Sequence, residues 1–236
     1  MRRDLKIGNI VHVYNRGNRK MSIVYDENDK WRFLKILRYF NDEFSPPNLF
    51  RELTLLRKSG LINHFDWPKD WPPHRPLVNI LAYCLMPNHF HLLLKEIIKG
   101  GISKFMKKFG DGFTNYTNIK YGEVGRVFQG PYKGKILIGR EELLHYLDAY
   151  IQVFNPFELY PAGIEKALKK FEEAFEFALG YPFCSLGESF GKRNLGIIEK
   201  DVLGEVFPNL KVYKKFAYDA LITRNIREIL GKLTIE

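Results

Sequence analysis

The sequence predicts an α+β protein, with a ferredoxin-like, split βαβ antiparallel sheet carrying its helices on one face and a C-terminal helical extension after it. Three observations lead there. Four short segments are apolar in alternation or in a continuous run, two longer segments repeat apolar residues at helical spacing, and the order is strand, helix, strand, strand, helix, strand. The 236 residues, 45% hydrophobic and 27% charged, suffice for one main core, and no apolar run reaches the roughly 18 residues of a membrane span.

The first strand is Gly8 to Tyr14, ended by the donor-rich turn Asn15-Arg16-Gly17-Asn18. Trp31, Phe33, Leu34, Ile36, Leu37 and Phe40 then recur at helical spacing over Asp29 to Phe40, behind acidic residues at Asp26 to Asp29 that suit a helix start. Ser45 to Pro76 is rich in proline and holds two of the three tryptophans, so it reads as an insertion around one helical piece near Leu53 to Arg57. Leu77 to Met86 is nearly all apolar, as a strand covered on both faces would be. Pro87-Asn88 breaks it, and Phe90, Leu92 and Leu94 open a second strand that pairs with it as a hairpin.

Ile102, Phe105, Met106, Phe109, Phe113 and Tyr116 give the second helix, with Lys104, Lys107 and Lys108 on its flank. Glycines at 122, 125, 130, 134 and 139 cut the chain after it into loop and a short strand, best placed at Lys135 to Ile138. Glu141 to Phe154 is helical again. Beyond Pro156, Ile164 to Leu179 is amphipathic, and Ile197 to Leu221 supplies one or two further helices. Residues 1–160, with the insertion near 45–76, are therefore expected to form the main domain and 161–236 the extension.

The 37 Lys and Arg against 27 Asp and Glu give a net charge of +10, which favours a polyanionic partner. Membrane binding is not expected, because no basic helix with a bulky apolar face stands out. Charge alone does not single out nucleic acid as that partner. No apolar stretch of signal-peptide length succeeds the basic start, so a cytoplasmic address is expected. Cys84 and Cys184 both sit in apolar surroundings and read as reduced core thiols, which disfavours a disulfide framework or a cysteine zinc site.

His89 and His91, one residue apart on a strand, project from the same face while Phe90 and Leu92 point to the other. Such a pair can chelate one metal ion, although two hydrogen-bonded strand histidines would show the same spacing. A catalytic ion would also need a third protein ligand and open positions for substrate. Tyr150 lies on a helix whose Leu143, Leu147 and Ile151 face the core. With 13 tyrosines in the chain, spacing alone makes it a rim tyrosine with a buried ring.

Four motifs in order change that weighting: Val13-Tyr-Asn-Arg-Gly-Asn18, Tyr83-Cys-Leu-Met-Pro-Asn-His-Phe-His-Leu-Leu-Leu94, Gly125-Arg-Val-Phe-Gln-Gly130, and Tyr150 to Pro156. Together they resemble the single-strand DNA transposases with a His-hydrophobe-His motif and one catalytic tyrosine, over about residues 8–190. The similarity is greatest to the branch associated with repetitive extragenic palindromes. The resemblance implies nicking and rejoining of single-stranded DNA, at hairpins, through a 5′-phosphotyrosine. Tyr150 would be the nucleophile, and His89 and His91 would hold a divalent ion, Mg²⁺ or Mn²⁺.

In that family a polar residue one helical turn after the tyrosine is the third metal ligand. Here position 154 is Phe, and Asn155 stands five residues on. A single π-turn would absorb the extra residue and return Asn155 to the site, with Gln152 as the other candidate. The departure also leaves Tyr146 open as an alternative to Tyr150. For DNA contacts, Asn15, Arg16, Arg19, Arg126, Gln129, Lys133 and Lys135 are suitable donors, and Phe128 and Tyr132 could stack on unpaired bases. Homodimer and monomer are both open. Two other readings stay beside the transposase-like enzyme: a hairpin-binding protein of the same fold that no longer cuts, and a metal-dependent phosphohydrolase of small substrates.

Overall fold

The computed structural model describes residues 5–137 and 142–231. Ile138 and Glu141, expected at a strand end and a helix start, lie outside the described residues. Within them, β1 (Ile10–Arg16), β2 (Val78–Leu85), β3 (His89–Glu96) and β4 (Lys133–Ile136) form one sheet in the order β2-β3-β1-β4, each pair of neighbours antiparallel. The chain is thus of mixed α and β class.

Helix α1 (Glu27–Phe40) starts where the acidic run suggests, because Asp26 and Asp29 cap each other's backbone reciprocally. The insertion contributes α2 (Leu49–Lys58), whose Leu49 and Leu53 pack with Tyr39 and Trp71 in a small core of their own. Helix α3 (Gly101–Tyr121) ends at Gly122, whose φ of 65° suits a glycine stop. After β4 come α4 (Glu142–Ala149), a π-helical turn (Tyr150–Phe154) and α5 (Asn155–Glu158).

Register decides which face each side chain serves. Phe90, Leu92, Leu94, Val11, Val13, Tyr83 and Leu85 share one core with Phe33, Leu34, Ile36 and Leu37 of α1 and with Phe105, Phe109 and Phe113 of α3. The two helices anticipated from the sequence therefore cover a single face. The opposite face is not left to solvent. Ala82, Cys84 and Leu93 are apolar there, and they pack under Tyr150, Ile151, Phe154 and Phe157 and under the extension's α6 (Gly163–Lys169) and α7 (Phe171–Gly180). Helices on one face alone is thus an incomplete description, because a sheet apolar on both sides must be covered on both.

The single amphipathic stretch expected at Ile164 to Leu179 is two helices broken at Lys170 (φ −114°, ψ 49°). A short α8 (Leu186–Ser189) comes next, then α9 (Asp201–Val206), α10 (Leu210–Tyr218), a second π turn at Asp219–Thr223 and α11 (Ile226–Leu230). Just before α8 the extension covers the free edge of β2. Leu85 N–H donates to Phe183 O, Ser185 N–H donates to Tyr83 O, and Cys84 bridges to Cys184 in the sheet. This closes an edge that would otherwise be open to pairing with another chain. Both cysteines are buried free thiols. No helix among the described residues is long and apolar enough to cross a membrane.

Candidate active site

The face of the sheet opposite α1 and α3 gathers polar side chains where β1 and β3 run side by side. Arg16 pairs with His89 and Tyr14 with His91, so Arg16, Tyr14, His12, His89 and His91 all point the same way. Sequence reasoning misses His12. Its Nε2 lies 2.9 Å from His91 Nδ1 and the two rings stack at 5.1 Å, both fully buried. The only sequence sign of it is its place two residues before Tyr14, between the apolar Val11 and Val13. Its pairing with His91 depends on a register that local sequence does not specify.

Each histidine of the pair has one ring nitrogen engaged. His89 Nδ1 is 2.7 Å from Asn88 Oδ1, and with the proton on Nδ1 it donates there and leaves Nε2 as a lone pair. The same tautomer of His91 donates from Nδ1 to His12 Nε2, and His91 Nε2 is then a buried atom without a partner. Burial pushes His89 down to about 4, with Arg16 adding to the effect. Burial pushes His91 well below the usual imidazole range, with His12, His89 and Arg16 acting in the same direction. Both rings are therefore neutral at pH 7, the form that binds a metal ion.

Tyr150 comes to this pair edge-on, its ring 5.4 Å from that of His91, and it stacks on Phe154 at 5.4 Å. Directly after it the helix widens into the π turn. Asn155 donates from its backbone N–H to Tyr150 O, and its side-chain Nδ2 reaches the same carbonyl at 2.9 Å. The side chain's other end, Asn155 Oδ1, is buried without a partner. Two orphaned acceptors thus belong to residues that flank one tyrosine, since His91 meets its ring and Asn155 holds its backbone. A lone pair on imidazole and one on an amide oxygen are donors a divalent cation accepts, so the residues present fit such an ion. Among the described residues no three His, Cys, Asp or Glu side chains gather in a metal-holding group.

The alternatives face elsewhere. Gln152 is spent on α4 and the extension: its Nε2 donates to Asp148 of α4 at 2.7 Å, and its Oε1 accepts from Ser185 and Ser189 at 2.8 and 3.0 Å. Tyr146 accepts a hydrogen bond from Arg224 and packs on Phe216, both in the C-terminal extension. The same extension fastens the tyrosine segment from outside, with Arg227 over the Phe154 ring and paired to Glu158 at 2.9 Å.

The expected DNA-contacting residues divide between the two faces. Arg16 stands beside the histidines, and Lys133 and Lys135, opposite Tyr14 and His12, lie on the same side of the sheet. Arg126 and Tyr132 instead line a cleft of about 660 Å³ between α3 and the loop before β4, together with Asn115 and Asn118. Asn15 lines that cleft too, but both ends of its amide are engaged, donating to Gly130 O and accepting from Arg16 N–H, so it fixes the loop. Gln129 is exposed and its backbone N–H donates to Arg16 O. Arg19 is exposed in a short 3₁₀ turn with φ of 51°. Phe128 does not stand ready for a base. It packs on Phe90 and Phe113 at 5.6 and 5.9 Å, with its ring buried in the core between β3 and α3.

No family model matches the sequence, and no curated protein matches it either. Among solved structures the chain is similar to one described as "Structure of the REP associates tyrosine transposase bound to a REP hairpin", at 14% identity and a TM-score of 0.44, over 85% of this chain and 88% of that one.

Proposed function

We propose that this chain is a metal-dependent tyrosine enzyme that nicks and rejoins single-stranded DNA at hairpins, built on a ferredoxin-like sheet. The strand order and the two helices on one face support the fold. The observation that carries the chemistry is the meeting of Tyr150 with His91, flanked by the unpartnered His91 Nε2 and Asn155 Oδ1. The Tyr150 oxygen would attack a phosphodiester phosphorus, leaving the 5′-phosphate esterified to the phenol, and its proton is exchanged for that of the released 3′-hydroxyl. Attack by a 3′-hydroxyl on that ester restores the phenol and a DNA strand, so no nucleotide cofactor is consumed. A phenol, with a pKa of about 10, leaves more readily than an alkoxide in that second step. When bound by His89, His91 and Asn155, Mg²⁺ or Mn²⁺ would supply charge withdrawal from the scissile phosphate. Arg16, across from His89, adds a positive charge on the same side.

A second reading is favoured by one observation. Tyr150 is only 4% exposed and Asn155 only 1%, so a phosphodiester reaches them only if the packing around them opens. A hairpin-binding protein of this fold that does not cut would keep them buried. Labelled hairpin and single-stranded oligonucleotides with Mg²⁺ or Mn²⁺ decide between the two. The enzyme forms an adduct stable to denaturing electrophoresis that Tyr150→Phe abolishes. Tight hairpin binding without any adduct, or an adduct that survives Tyr150→Phe, sinks the enzymatic reading.

A further inference from the structure

On the outer side of α1, across the sheet from the histidines, a groove of about 50 Å³ opens between α1 and α2. Arg32, Lys35, Thr54, Arg57, Asn63 and His64 contribute to its wall. At ~10–15 Å³ per water, it holds a ligand of roughly three to five waters, the scale of a phosphate group. The charges are all of one sign. Among the described residues none of Arg32, Lys35 or Arg57 has a carboxylate within ion-pair distance. The neighbouring acids are engaged by other groups: Asp29 accepts from Lys120, Tyr116 and Tyr121, Glu52 accepts from Trp71 Nε1 at 2.6 Å, and Asp66 accepts from Asn63 of the groove wall at 2.8 and 3.0 Å.

The groove is held in shape. The Arg32 guanidinium lies 3.9 Å from the centre of the Phe50 ring and 4.7 Å from that of Tyr116, which fixes it without neutralising it. Arg57 Nη1 lies 3.2 and 3.4 Å from the ring nitrogens of His64. Lys35 is pushed below the usual lysine range by burial and then by Arg57 and Arg32, and His64 is lowered by burial and then by Arg57 and Lys35. Three cations converging on one small concavity repel one another, an arrangement that an anion in their midst relieves.

We infer that Arg32, Lys35 and Arg57 form a phosphate-binding groove that grips the sugar-phosphate backbone of bound DNA, away from the strand that meets Tyr150. The backbone as source of that phosphate rests on the DNA reading above, whereas the phosphate site itself does not. Its contribution is affinity without sequence preference, because phosphate contacts carry no base information.

The test uses the full chain and the double substitution Lys35→Gln with Arg57→Gln, compared with a control pair on α6, Lys166→Gln with Lys169→Gln. Hairpin DNA affinity is measured against salt. Loss of the one phosphate contact that the groove makes lowers the slope of log K on log salt by about 0.9, whereas the control pair leaves it in place. A slope unchanged in the Lys35 and Arg57 variant overturns the inference. If the wild-type chain binds no DNA, the proposed function falls, and inorganic phosphate then decides the groove alone. Thermal stabilisation by phosphate over chloride at equal ionic strength, abolished by the double substitution, upholds an anion site, and equal stabilisation of both proteins refutes it. Without anion the double variant is expected to unfold no earlier than wild type, since two like charges have been removed.

Discussion

Replacing His12 tests whether the buried imidazole pair is a metal holder or a packing feature. In His12→Leu the acceptor 2.9 Å from His91 Nδ1 disappears and an apolar side chain fills most of the space. His91 then loses the partner that fixes its tautomer and aims Nε2. Such orienting partners are worth roughly 10–100-fold in metal affinity, or about 1.4–2.7 kcal/mol. The fold suffers separately, because a buried His91 N–H without an acceptor costs about 1–3 kcal/mol. These two effects need different assays. The Mn²⁺ midpoint for DNA adduct formation should rise 10–100-fold and the plateau return at saturating Mn²⁺, while the urea midpoint falls. His12→Gln, which keeps an acceptor, should recover part of the metal shift. The reasoning is refuted if His12→Leu leaves the Mn²⁺ midpoint in place while His89→Ala moves it.

Gln152→Ala strands Asp148, Ser185 and Ser189 and should destabilise by roughly 2–4 kcal/mol in urea with no change in Mn²⁺ midpoint, whereas Asn155→Ala should move that midpoint and lose only about 1 kcal/mol; the reverse pattern would make Gln152 the ligand. Burial pushes the Asp148 carboxyl up to about 7, with Tyr213 and Gln152 opposing. The folded chain therefore holds a proton that the unfolded chain gives up near pH 4, and this contribution is full below that pH, declines up to about 7 and is flat above. Asp148→Asn removes it, so the stability of the variant relative to wild type should climb between pH 4 and 7, by on the order of 4 kcal/mol, and a flat difference curve would contradict this. A Cβ at Gly17 would sit 2.1 Å from the Met21 carbonyl oxygen while one at Gly110, inside α3, meets nothing within 4 Å. Gly17→Ala should lower the melting temperature and Gly110→Ala raise stability by about 0.5–1 kcal/mol, as melting curves of the two will show.

The elements legible in the sequence are those whose pattern is local. The apolar repeat from Trp31 to Phe40 could only bury one stripe, so it locates α1 to within two residues of its observed start at Glu27. Leu77 to Met86 announces a strand covered on both faces, and β2 is so covered, with Tyr83 and Leu85 under α1 and α3 and Ala82 and Cys84 under the tyrosine segment. The cover on the second face is not legible. The contacts of Phe171, Phe175 and Tyr213 with that face span more than eighty residues of chain, and nothing in their own spacing names a partner. The bulge between Ile80 and Ala82 is equally silent, having neither glycine nor proline to mark it.

The site shows the same division, and the π turn is its locally marked part. Five residues along a 3.6-residue helix lie about 140° apart, so an α-helical Tyr150 and Asn155 would face different ways. Pro156 has no N–H to give the Gln152 carbonyl, which instead accepts from Cys184 Sγ at 3.5 Å, so the helix has little to lose by widening there. Widening moves the Asn155 N–H onto Tyr150 O and its side chain with it. The place where the helix tolerates an extra residue is written within seven positions, Tyr150 to Pro156, whereas the expectation of one comes from the resemblance. His12 lacks any such local marker. Its role arises only when β1 lies against β3 in a register that sets Tyr14 beside His91, and no stretch of seven residues contains that pairing.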